Sequence, residues 1–447
     1  HFEFPARRIT VNLAPADLPK EGGRFDLPIA LGILAASSQL PLGALENREF
    51  IGELGLAGDL RPVPGALPAA LACGDAGRTL FVPEACAPEA ALARDTAVIG
   101  ATDLLQLCAA LRGHVELPRA LPPPALEKAS VPDLSDVRGQ LQAKRALVIA
   151  AAGAHNLLLH GPPGTGKTML ASRLPGLLPP LEPREQLEVA AVQSSIGRLD
   201  LRRFGERPFR APHHTASAAA LVGGGSHPRP GEISLAHHGV LFLDELPEFQ
   251  RKVLEVLREP LEAGEIMIAR ARQQLSFPAR FQLVAAMNPC PCGYAGDSER
   301  ECRCTPDQVR RYRDRISGPL LDRIDLQVPV KRLPAGALTD DSRPEASSSH
   351  WRAQVVTARI RQLERQGCTN ALLGSRQLEH EAGIALAERR RVEATVQRMA
   401  LSARAYYRIL RVARTIADLE ASVTVERHHI NEALLYRGLP GGANGGT

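Results

Sequence analysis

The sequence predicts an α/β fold in which a parallel sheet is followed by a wholly helical domain. Three short apolar stretches, Asn156–His160, Val240–Glu245 and Phe281–Met287, have the length of strands, and each leads to glycine or polar residues. Continuous apolar stretches of this length are typical of strands that are buried on both faces of a parallel sheet. From residue 350 to residue 437 the apolar pattern is helical throughout.

Two changes of composition divide the 447 residues into three domains. Residues 117–132 are rich in proline and predict a semi-rigid linker, and residues 334–349 are rich in Pro, Asp and Ser without apolar periodicity. The expected domains are residues 1–116, 133–333 and 350–437. We expect residues 438–447, which offer little to bury, to be disordered. Because the chain begins with His1 inside a strand-like stretch, we also expect the first domain to be incomplete at its N-terminus.

Composition and charge restrict the class of protein. No apolar run approaches the ~20 residues that a membrane-spanning helix needs, and no charged-then-apolar signal opens the chain. We therefore expect a soluble, cytoplasmic protein without a membrane partner. The formal net charge of +5 permits contact with nucleic acid but is far from the charge density of a dedicated basic tail.

A glycine-rich loop connects the first apolar stretch to a helix that opens at Met169. The loop has the pattern GxxxxGK[ST], and its residues are Gly161, Pro162, Pro163, Gly164, Thr165, Gly166, Lys167 and Thr168. Glycines let successive backbone N–H groups face a phosphate at a helix N-terminus, while the lysine reaches the β- and γ-phosphates and the hydroxyl binds Mg²⁺. With a strand before it and a helix after it, the motif predicts a site for ATP and Mg²⁺.

Polar residues at the ends of the other two stretches complete the expected site. Asp244 is predicted to bind Mg²⁺, and Glu245 to orient or deprotonate the attacking water. Asn288 follows the third stretch, where its amide can bind the γ-phosphate or the water; the alternative is a turn asparagine before Pro289. Because the carboxyl ends of parallel strands share one sheet edge, we expect these side chains to lie near Lys167.

These elements, in this order, resemble the AAA+ class of P-loop ATPases, and Asp136–Gln140 is similar to the segment that packs near the adenine. Three longer segments resemble the magnesium-chelatase-like YifB/ComM family, and the likeness covers nearly the whole chain: Arg210–Ser217, Pro230–Glu245 and Ala286–Tyr294. The resemblance implies a ring, expected to be a homo-hexamer, that hydrolyses ATP with Mg²⁺ and has a helical lid at residues 350–437. It further implies a DNA motor for branch migration in recombination and natural transformation. The alternative is a chelatase-type ATPase that remodels a partner protein.

The resemblance also suggests how one subunit completes its neighbour's site. Arg323 is similar to the arginine finger of such rings, whose guanidinium stabilises charge on the transferring phosphoryl group. Arg315 is the rival candidate. An ion pair between Arg323 and Asp322 or Asp325 is the purely structural alternative.

One helix of the predicted lid carries a stripe of arginines. Arg404 is similar to the second sensor arginine of AAA+ lids. Arg408 and Arg411 follow it on the same stripe, opposite an apolar face. We expect these two arginines to be solvated.

Four of the eight cysteines fall within fifteen residues. They form two CxC pairs separated by nine residues, namely Cys290, Cys292, Cys302 and Cys304. Four thiolates can close a tetrahedron around a structural Zn²⁺, although each pair is more closely spaced than the usual CxxC. Reduced thiols and disulfides are the alternatives, and a cytoplasmic location disfavours disulfides.

Residues 265–277 alternate apolar and polar side chains around a basic middle and predict a β-hairpin. Arg270 and Arg272 lie at the expected turn, as contacts for DNA phosphates or as ordinary solvated side chains. Residues 221–225 resemble the tip of a second inserted loop. Four histidines lack clear metal-binding spacing, and we expect them to be packing or loop residues: His213, His214, His237 and His238.

Residues 1–116 resemble the Lon-protease-type domain, an α+β fold of the ribosomal S5 domain 2-like class. The likeness lies in Pro19–Ala30 and Gly52–Ala66. Lon-type peptidases need a serine nucleophile and a lysine base, but Arg24 and Pro68 occupy the corresponding positions. We therefore expect a scaffold or DNA-contacting module without peptidase activity.

Overall fold

The structure is a computed structural model that describes residues 2–14, 22–124, 132–224, 228–270, 273–334, 336, 345–399 and 401–437. The predicted tail at 438–447 and parts of both predicted linkers lie outside these ranges, and so does Arg272. Among the helices of the described ranges, none is long and apolar enough to cross a bilayer.

The first domain has a small parallel sheet with helices on both faces. Its strands are Arg48–Phe50 (β1), Glu53–Leu54 (β2), Leu60–Arg61 (β3), Thr79–Pro83 (β4) and Ala97–Ala101 (β5), and its helices are Asp26–Ala36 (α1), Ala66–Asp75 (α2), Ala87–Ala90 (α3) and Leu104–Leu111 (α4). The sheet has the order β1-β4-β5. Alternation along β4 places Phe81 in the core with α1 and α4, while Leu80 and Val82 pack with α2.

The two positions that replace a peptidase dyad lie around the start of α2. The guanidinium Nη2 of Arg24 donates a hydrogen bond to the carbonyl of Pro64 at 2.8 Å. Pro68 lies in the first turn of α2. Neither side chain offers a nucleophile or a base, so the absence of peptidase activity stays a prediction with a chemical reason.

The central domain contains most of the short elements. Its strands are Leu157–His160 (β6), Phe209–Arg210 (β7), Gly223–Gly224 (β8), Arg229–Pro230 (β9), Val240–Leu243 (β10), Glu265–Arg270 (β11), Gln273–Pro278 (β12), Gln282–Met287 (β13) and Leu326–Pro329 (β14). Its helices are Leu141–Gly153 (α5), Lys167–Ala171 (α6), Leu174–Leu177 (α7), Pro183–Ser195 (α8), Ala218–Val222 (α9), Glu232–Leu235 (α10), Arg251–Glu255 (α11), Pro260–Ala263 (α12), Pro306–Arg313 (α13) and Gly318–Leu321 (α14).

The main sheet has the strand order β14-β6-β13-β10-β7, and all neighbouring strands are parallel. This confirms the predicted parallel sheet. Strand β6 is wholly buried and has β13 and β14 on its two sides. Because Met287 pairs with His160, the ends of β13 and β6 coincide, and the loops that follow them are neighbours.

Two antiparallel hairpins project from this domain. Strands β11 and β12 pair from Glu265 with Pro278 to Arg270 with Gln273, which confirms the predicted hairpin. The side chain of Arg270 and all of Arg272 lie outside the described structure. The second hairpin pairs β8 with β9 and includes part of the predicted loop 221–225.

The C-terminal domain is helical, as predicted. Its helices are Ser348–Gln366 (α15), Ser375–His380 (α16), Leu386–Arg398 (α17), Ala403–Leu419 (α18) and Arg427–Leu435 (α19). The apolar face of α18, which includes Ile409 and Ile416, joins the same core as α5 and the sheet. Buried Arg414 pairs with buried Asp418 one turn later on α18.

The prediction that Arg408 and Arg411 are solvated is wrong. Arg408 is 15% exposed and forms an ion pair with Asp325, whose side chain is 3% exposed. Arg411 donates two hydrogen bonds to the carbonyl of Leu373 at 2.6 and 2.9 Å. Arg408 and Arg411 therefore face acceptors on other elements instead of water.

The first domain docks on helix α8 of the central domain. Ala190 of α8 belongs to the apolar core that also contains α2 and α3. The N–H of Gly65 donates to the carbonyl of Ser194 at 2.9 Å, and the Ser194 hydroxyl bonds Glu89. This polar and apolar contact makes the first domain part of the same packed body.

Candidate nucleotide site

The glycine-rich loop leaves β6 in a conformation that depends on its glycines. A Cβ atom on Gly161 would lie 2.1 Å from the carbonyl oxygen of Val330, so only glycine fits beside β14. Gly164 and Gly166 have φ angles of +76° and +88°, which side chains rarely allow. Helix α6 begins at Lys167, so the loop presents its backbone at a helix N-terminus.

Lys167 lies inside this loop. Its ammonium donates to the carbonyl oxygens of Gly161 at 2.7 Å and Pro162 at 2.8 Å, and to Oδ1 of Asn288 at 3.2 Å. Burial lowers the pKa of Lys167 to about 8, and Asp244 and Glu245 oppose this effect. A buried ammonium whose direct partners in the described structure are all neutral acceptors fits a site for an anion such as a triphosphate.

Thr168 and Asp244 meet on the other side of the loop. The Thr168 hydroxyl donates to Oδ2 of Asp244 at 2.6 Å. Two oxygen ligands on adjacent corners of a Mg²⁺ octahedron lie about 3 Å apart, because each is about 2.1 Å from the metal. The two oxygens therefore fit a Mg²⁺ ion with little movement.

Glu245 has an unusual backbone and an unexpected partner. Its φ angle of +53° is left-handed, which is uncommon for a residue other than glycine and typical of functional positions. Its N–H donates to Oδ1 of Asp244 at 2.9 Å. Nδ1 of His214 lies 3.1 Å from Oε2 of Glu245, and the His214 ring packs against His213 at 4.1 Å between centroids, with the ring planes tilted by 33°.

The expected packing or loop role of His214 thus overlooked its position. The sequence contained no signal for it, because His214 follows the short strand β7 by four residues and its side chain reaches across to the end of β10. Only the parallel pairing of these two strands brings the two side chains together.

The three arginines assigned by resemblance have different surroundings. The Arg323 side chain is 6% exposed, and its Nη2 pairs with Oε1 of Glu262 at 2.5 Å. Arg315 is 54% exposed and pairs with Glu248 at 3.0 Å. Arg404 is exposed in the first turn of α18. The structural partner of Arg323 is thus Glu262, while the neighbouring Asp325 pairs with Arg408.

The four clustered cysteines come together in space. Their sulfur atoms lie within 4.8 Å of one another. The separations are 3.3 Å for Cys290 and Cys292 and 3.6 Å from each of these to Cys302. Tetrahedral zinc with Zn–S distances of about 2.3 Å needs sulfur separations of about 3.8 Å. The spacing therefore fits a Cys₄ zinc site.

Two histidine clusters approach metal-binding geometry, but hydrogen bonds occupy the atoms a metal would need. Nε2 of His237 faces Glu188 at 3.3 Å, and its Nδ1 accepts the N–H of Arg280 at 3.1 Å. Burial lowers the pKa of His237 to about 4, so the neutral ring carries its proton on Nε2 and has no lone pair for a metal there. Nδ1 of His429 similarly accepts the N–H of Glu426. We assign both rings to packing.

Comparisons with known proteins match this geometry. Residues 133–338 match a family model described as "Magnesium chelatase, subunit ChlI". Residues 1–86 match one described as "Subunit ChlI of Mg-chelatase", and residues 345–437 match one described as "Magnesium chelatase, subunit ChlI C-terminal". The chain is 51% identical to competence protein ComM of Haemophilus influenzae, over 98% of this chain and 87% of that protein. It is 50% identical to protein YifB of Escherichia coli, over 98% of this chain and 86% of that protein. A magnesium-chelatase 38 kDa subunit of Cereibacter sphaeroides is 30% identical over 35% of this chain and 52% of that subunit. The chain belongs to the ComM/YifB family of magnesium-chelatase-like AAA+ proteins.

Proposed function

We propose that the protein is a Mg²⁺-dependent ATPase whose subunits form a ring that moves DNA strands. The observation that carries the ATPase is the meeting of Lys167, Thr168, Asp244 and Glu245 at one edge of the sheet. A phosphate-binding cation, two hard oxygen ligands and a carboxylate base are the groups that phosphoryl transfer to water requires.

Each group has its own part in hydrolysis. The backbone N–H groups of the loop and the ammonium of Lys167 hold the β- and γ-phosphates, while Thr168 and Asp244 hold Mg²⁺, which supplies positive charge to the phosphate oxygens. Glu245 accepts a proton from the attacking water as the water oxygen bonds to the γ-phosphorus and the bond to the ADP oxygen breaks. The amide of Asn288 orients the γ-phosphate or the water.

The ring completes the site in trans. We assign the finger role to Arg323, as AAA+ resemblance implies, in a homo-hexamer. Its Nε is buried without a hydrogen-bond partner in the described part of the chain, so the guanidinium is incompletely satisfied within one subunit. Arg315 is the rival, supported by its exposure. Arg404, exposed at the start of α18, acts as the lid's sensor arginine.

The cysteine cluster binds a structural Zn²⁺ through Cys290, Cys292, Cys302 and Cys304. The separations of 3.3 to 3.6 Å among the first three sulfurs, with the Cys304 sulfur within 4.8 Å of each, support this assignment. They are much longer than a disulfide bond of about 2.05 Å. Four protein ligands close the tetrahedron, so the metal has a structural and not a catalytic part.

The DNA substrate rests on two observations. The chain is 51% identical to a protein named for competence, and the β11–β12 hairpin pairs Arg270 with Gln273 beside a stretch of sequence that carries Arg272. We propose that these arginines contact phosphates of branched or single-stranded DNA without sequence preference, during branch migration in recombination and natural transformation. Such binding weakens steeply with salt because counterions are released.

ATP turnover on a four-way DNA junction tests this function. We expect the junction to raise turnover and added salt to remove the increase. Arg270→Ala with Arg272→Ala should reduce the salt slope of DNA binding and leave basal turnover unchanged. Arg184→Ala with Arg202→Ala removes the same charge from other exposed positions and serves as the control. An unchanged slope in the hairpin variant would remove the hairpin from the DNA path.

A second function is a chelatase-type ATPase that remodels a partner protein. It is favoured by the match of all three family models to a magnesium chelatase subunit. In that case a protein partner, and not DNA, raises turnover.

A further inference from the structure

The cysteine cluster is packed directly against the phosphate-binding loop. Gly293 lies between Cys292 and the rest of the cysteine loop, with a φ angle of +88°. A Cβ atom at Gly293 would be 2.8 Å from Cδ of Pro163 and 3.2 Å from its Cγ. Backbone of the cysteine loop and the ring of Pro163 are therefore in van der Waals contact, with no room for a methyl group between them.

The same loop is continuous with a second group of the nucleotide site. Asn288 accepts a hydrogen bond from Lys167, and a single proline separates it from Cys290 in the sequence. A Cβ atom placed on Gly293 would lie 4.0 Å from Cγ of Asn288. The cysteine loop thus supports Asn288 on one side and Pro163 on the other.

The loop has no regular secondary structure to hold its shape. Between Pro289 and Thr305 it contains neither a helix nor a strand, and Cys290 is its fully buried apolar residue. Backbone N–H groups donate to sulfur, from Ala295 to Cys290 at 3.3 Å and from Cys304 to Cys302 at 3.4 Å. Hydrogen bonds of this kind orient sulfur ligands around a metal.

An ion pair anchors the loop to the end of strand β14. Asp297, whose side chain is 1% exposed, pairs with Arg332 at 2.9 Å. Arg332 follows Val330, whose carbonyl lies against Gly161 at the start of the phosphate-binding loop. The cysteine loop therefore reaches the start of the 161–168 loop by two routes, directly at Pro163 and through the segment after β14 at Gly161.

We propose that Zn²⁺ in the Cys₄ site sets the shape of the phosphate-binding loop through the Gly293–Pro163 contact, so that zinc occupancy controls nucleotide affinity. The inference rests on the proposed ATPase activity and the proposed zinc site, and it adds an energetic coupling between zinc binding and nucleotide binding. Without the metal, the Asp297–Arg332 ion pair still anchors the 289–305 loop, but its two CxC segments are no longer tied to each other. Pro163 and Asn288 then lose the surface that supports them. Coupling between two sites is reciprocal, so nucleotide must strengthen zinc binding by the same factor.

Metal removal from the whole chain is the first test. The zinc content of the purified chain is measured, zinc is withdrawn with a chelator that spares Mg²⁺, and the Kd of a fluorescent Mg²⁺–ATP analogue is compared before withdrawal, after it and after Zn²⁺ is restored. We expect one zinc per chain, a nucleotide Kd at least about tenfold weaker without it, and recovery on restoration. Equal Kd values with and without zinc would overturn the coupling, and no bound zinc would overturn the metal site.

Glycine variants test the contact without touching the metal ligands. Gly293→Ala places a methyl group against Pro163, while Gly296→Ala introduces the same left-handed strain, at φ +77°, with no atom within 4 Å of the new Cβ. We expect both variants to keep zinc and only Gly293→Ala to weaken nucleotide binding by about tenfold. Equal Kd values in the two variants would overturn the proposal. Zinc-loaded wild type that does not bind the nucleotide would contradict the ATPase itself, which separates the two failures.

Discussion

Nδ1 of His214 lies 3.1 Å from Oε2 of Glu245, so the proposed catalytic base is held by a side chain from outside the nucleotide loop. His214 precedes helix α9 and the β8–β9 hairpin, which belong to the loop that we compare with a substrate-contacting insertion. A carboxylate that already faces an imidazole nitrogen at close range is less able to accept a proton from water. The contact gives the inserted segment a direct physical connection to hydrolysis.

His214→Ala should therefore raise basal ATP turnover by about threefold to tenfold, because Glu245 is released toward the water. The KM for ATP should stay the same, since His214 does not contact the phosphate-binding loop in the described structure. Steady-state phosphate release measures both quantities, and His214→Asn, which keeps a polar side chain able to donate to Glu245, is the matched control. Lower turnover at unchanged KM would mean that His214 holds Glu245 in its productive position.

Lys167 should make nucleotide binding sensitive to alkaline pH. Burial lowers the pKa of Lys167 to about 8 in the free chain, and bound phosphates raise it because they stabilise the ammonium. Affinity is then fully present below the free pKa and falls by up to about tenfold per pH unit above pH 8. Titration of a Mg²⁺–nucleotide analogue from pH 7 to pH 9.5 tests this. Lys167→Arg, which stays protonated, should give a flat profile at lower affinity.

Mixing of two inactive variants tests whether Arg323 acts as an arginine finger on the neighbouring subunit. Arg323→Ala and Lys167→Ala should each lower turnover by about a thousandfold or more, because each removes charge from the transition state. A mixture should recover part of the activity, since a Lys167→Ala subunit can give its intact Arg323 to a neighbour whose loop is intact. Recovery with Arg315→Ala in place of Arg323→Ala, and none with Arg323→Ala, would transfer the role to Arg315.

The Asp325–Arg408 pair should stabilise the contact between the lid and the sheet. Burial alone would raise the pKa of Asp325, but the charge of Arg408, the His155 ring at 3.7 Å and a hydrogen bond from the N–H of Asn156 hold that pKa well below its usual value. A lowered pKa gives stability that is present above the unfolded value of about 3.9 and is lost as pH falls below it. Arg408→Met should lower the free energy of unfolding by about 3–5 kcal/mol, because it leaves a buried charge without its partner.

Urea unfolding at pH 7 and at pH 3 measures this effect. Arg404→Ala on the same helix is the control, since this exposed side chain should change stability by no more than about 0.5 kcal/mol. A cost for Arg408→Met that is the same at both pH values would contradict the charge pairing, as would a cost no larger than that of the control.

Local patterns sufficed for the elements that carry the site. The strands expected at Asn156–His160 and Phe281–Met287 begin one residue later in the structure and end where expected. Apolar runs, glycine spacing and alternation are properties of adjacent residues, so they are readable in a single chain. Local patterns also predicted the hairpin around 265–277 and the clustering of the four cysteines in space.

Contacts between residues that are far apart in the sequence could not be predicted from the sequence alone. Arg408 was expected in solvent because its helical stripe is polar, but its partner Asp325 lies 83 residues earlier. His214 reaches Glu245 only through the pairing of β7 with β10, and Gly293 reaches Pro163 only through that of β6 with β13. The periodicity of apolar residues indicates which face of a helix or strand is buried, but it does not indicate which residues of other elements contact that face.

Glu245→Gln tests the central claim most directly, because it removes the base and keeps the shape of the side chain. Binding of the Mg²⁺–nucleotide analogue should stay within about twofold of wild type, while ATP turnover falls by at least about a hundredfold. Near-normal turnover in this variant would contradict the assignment of the site.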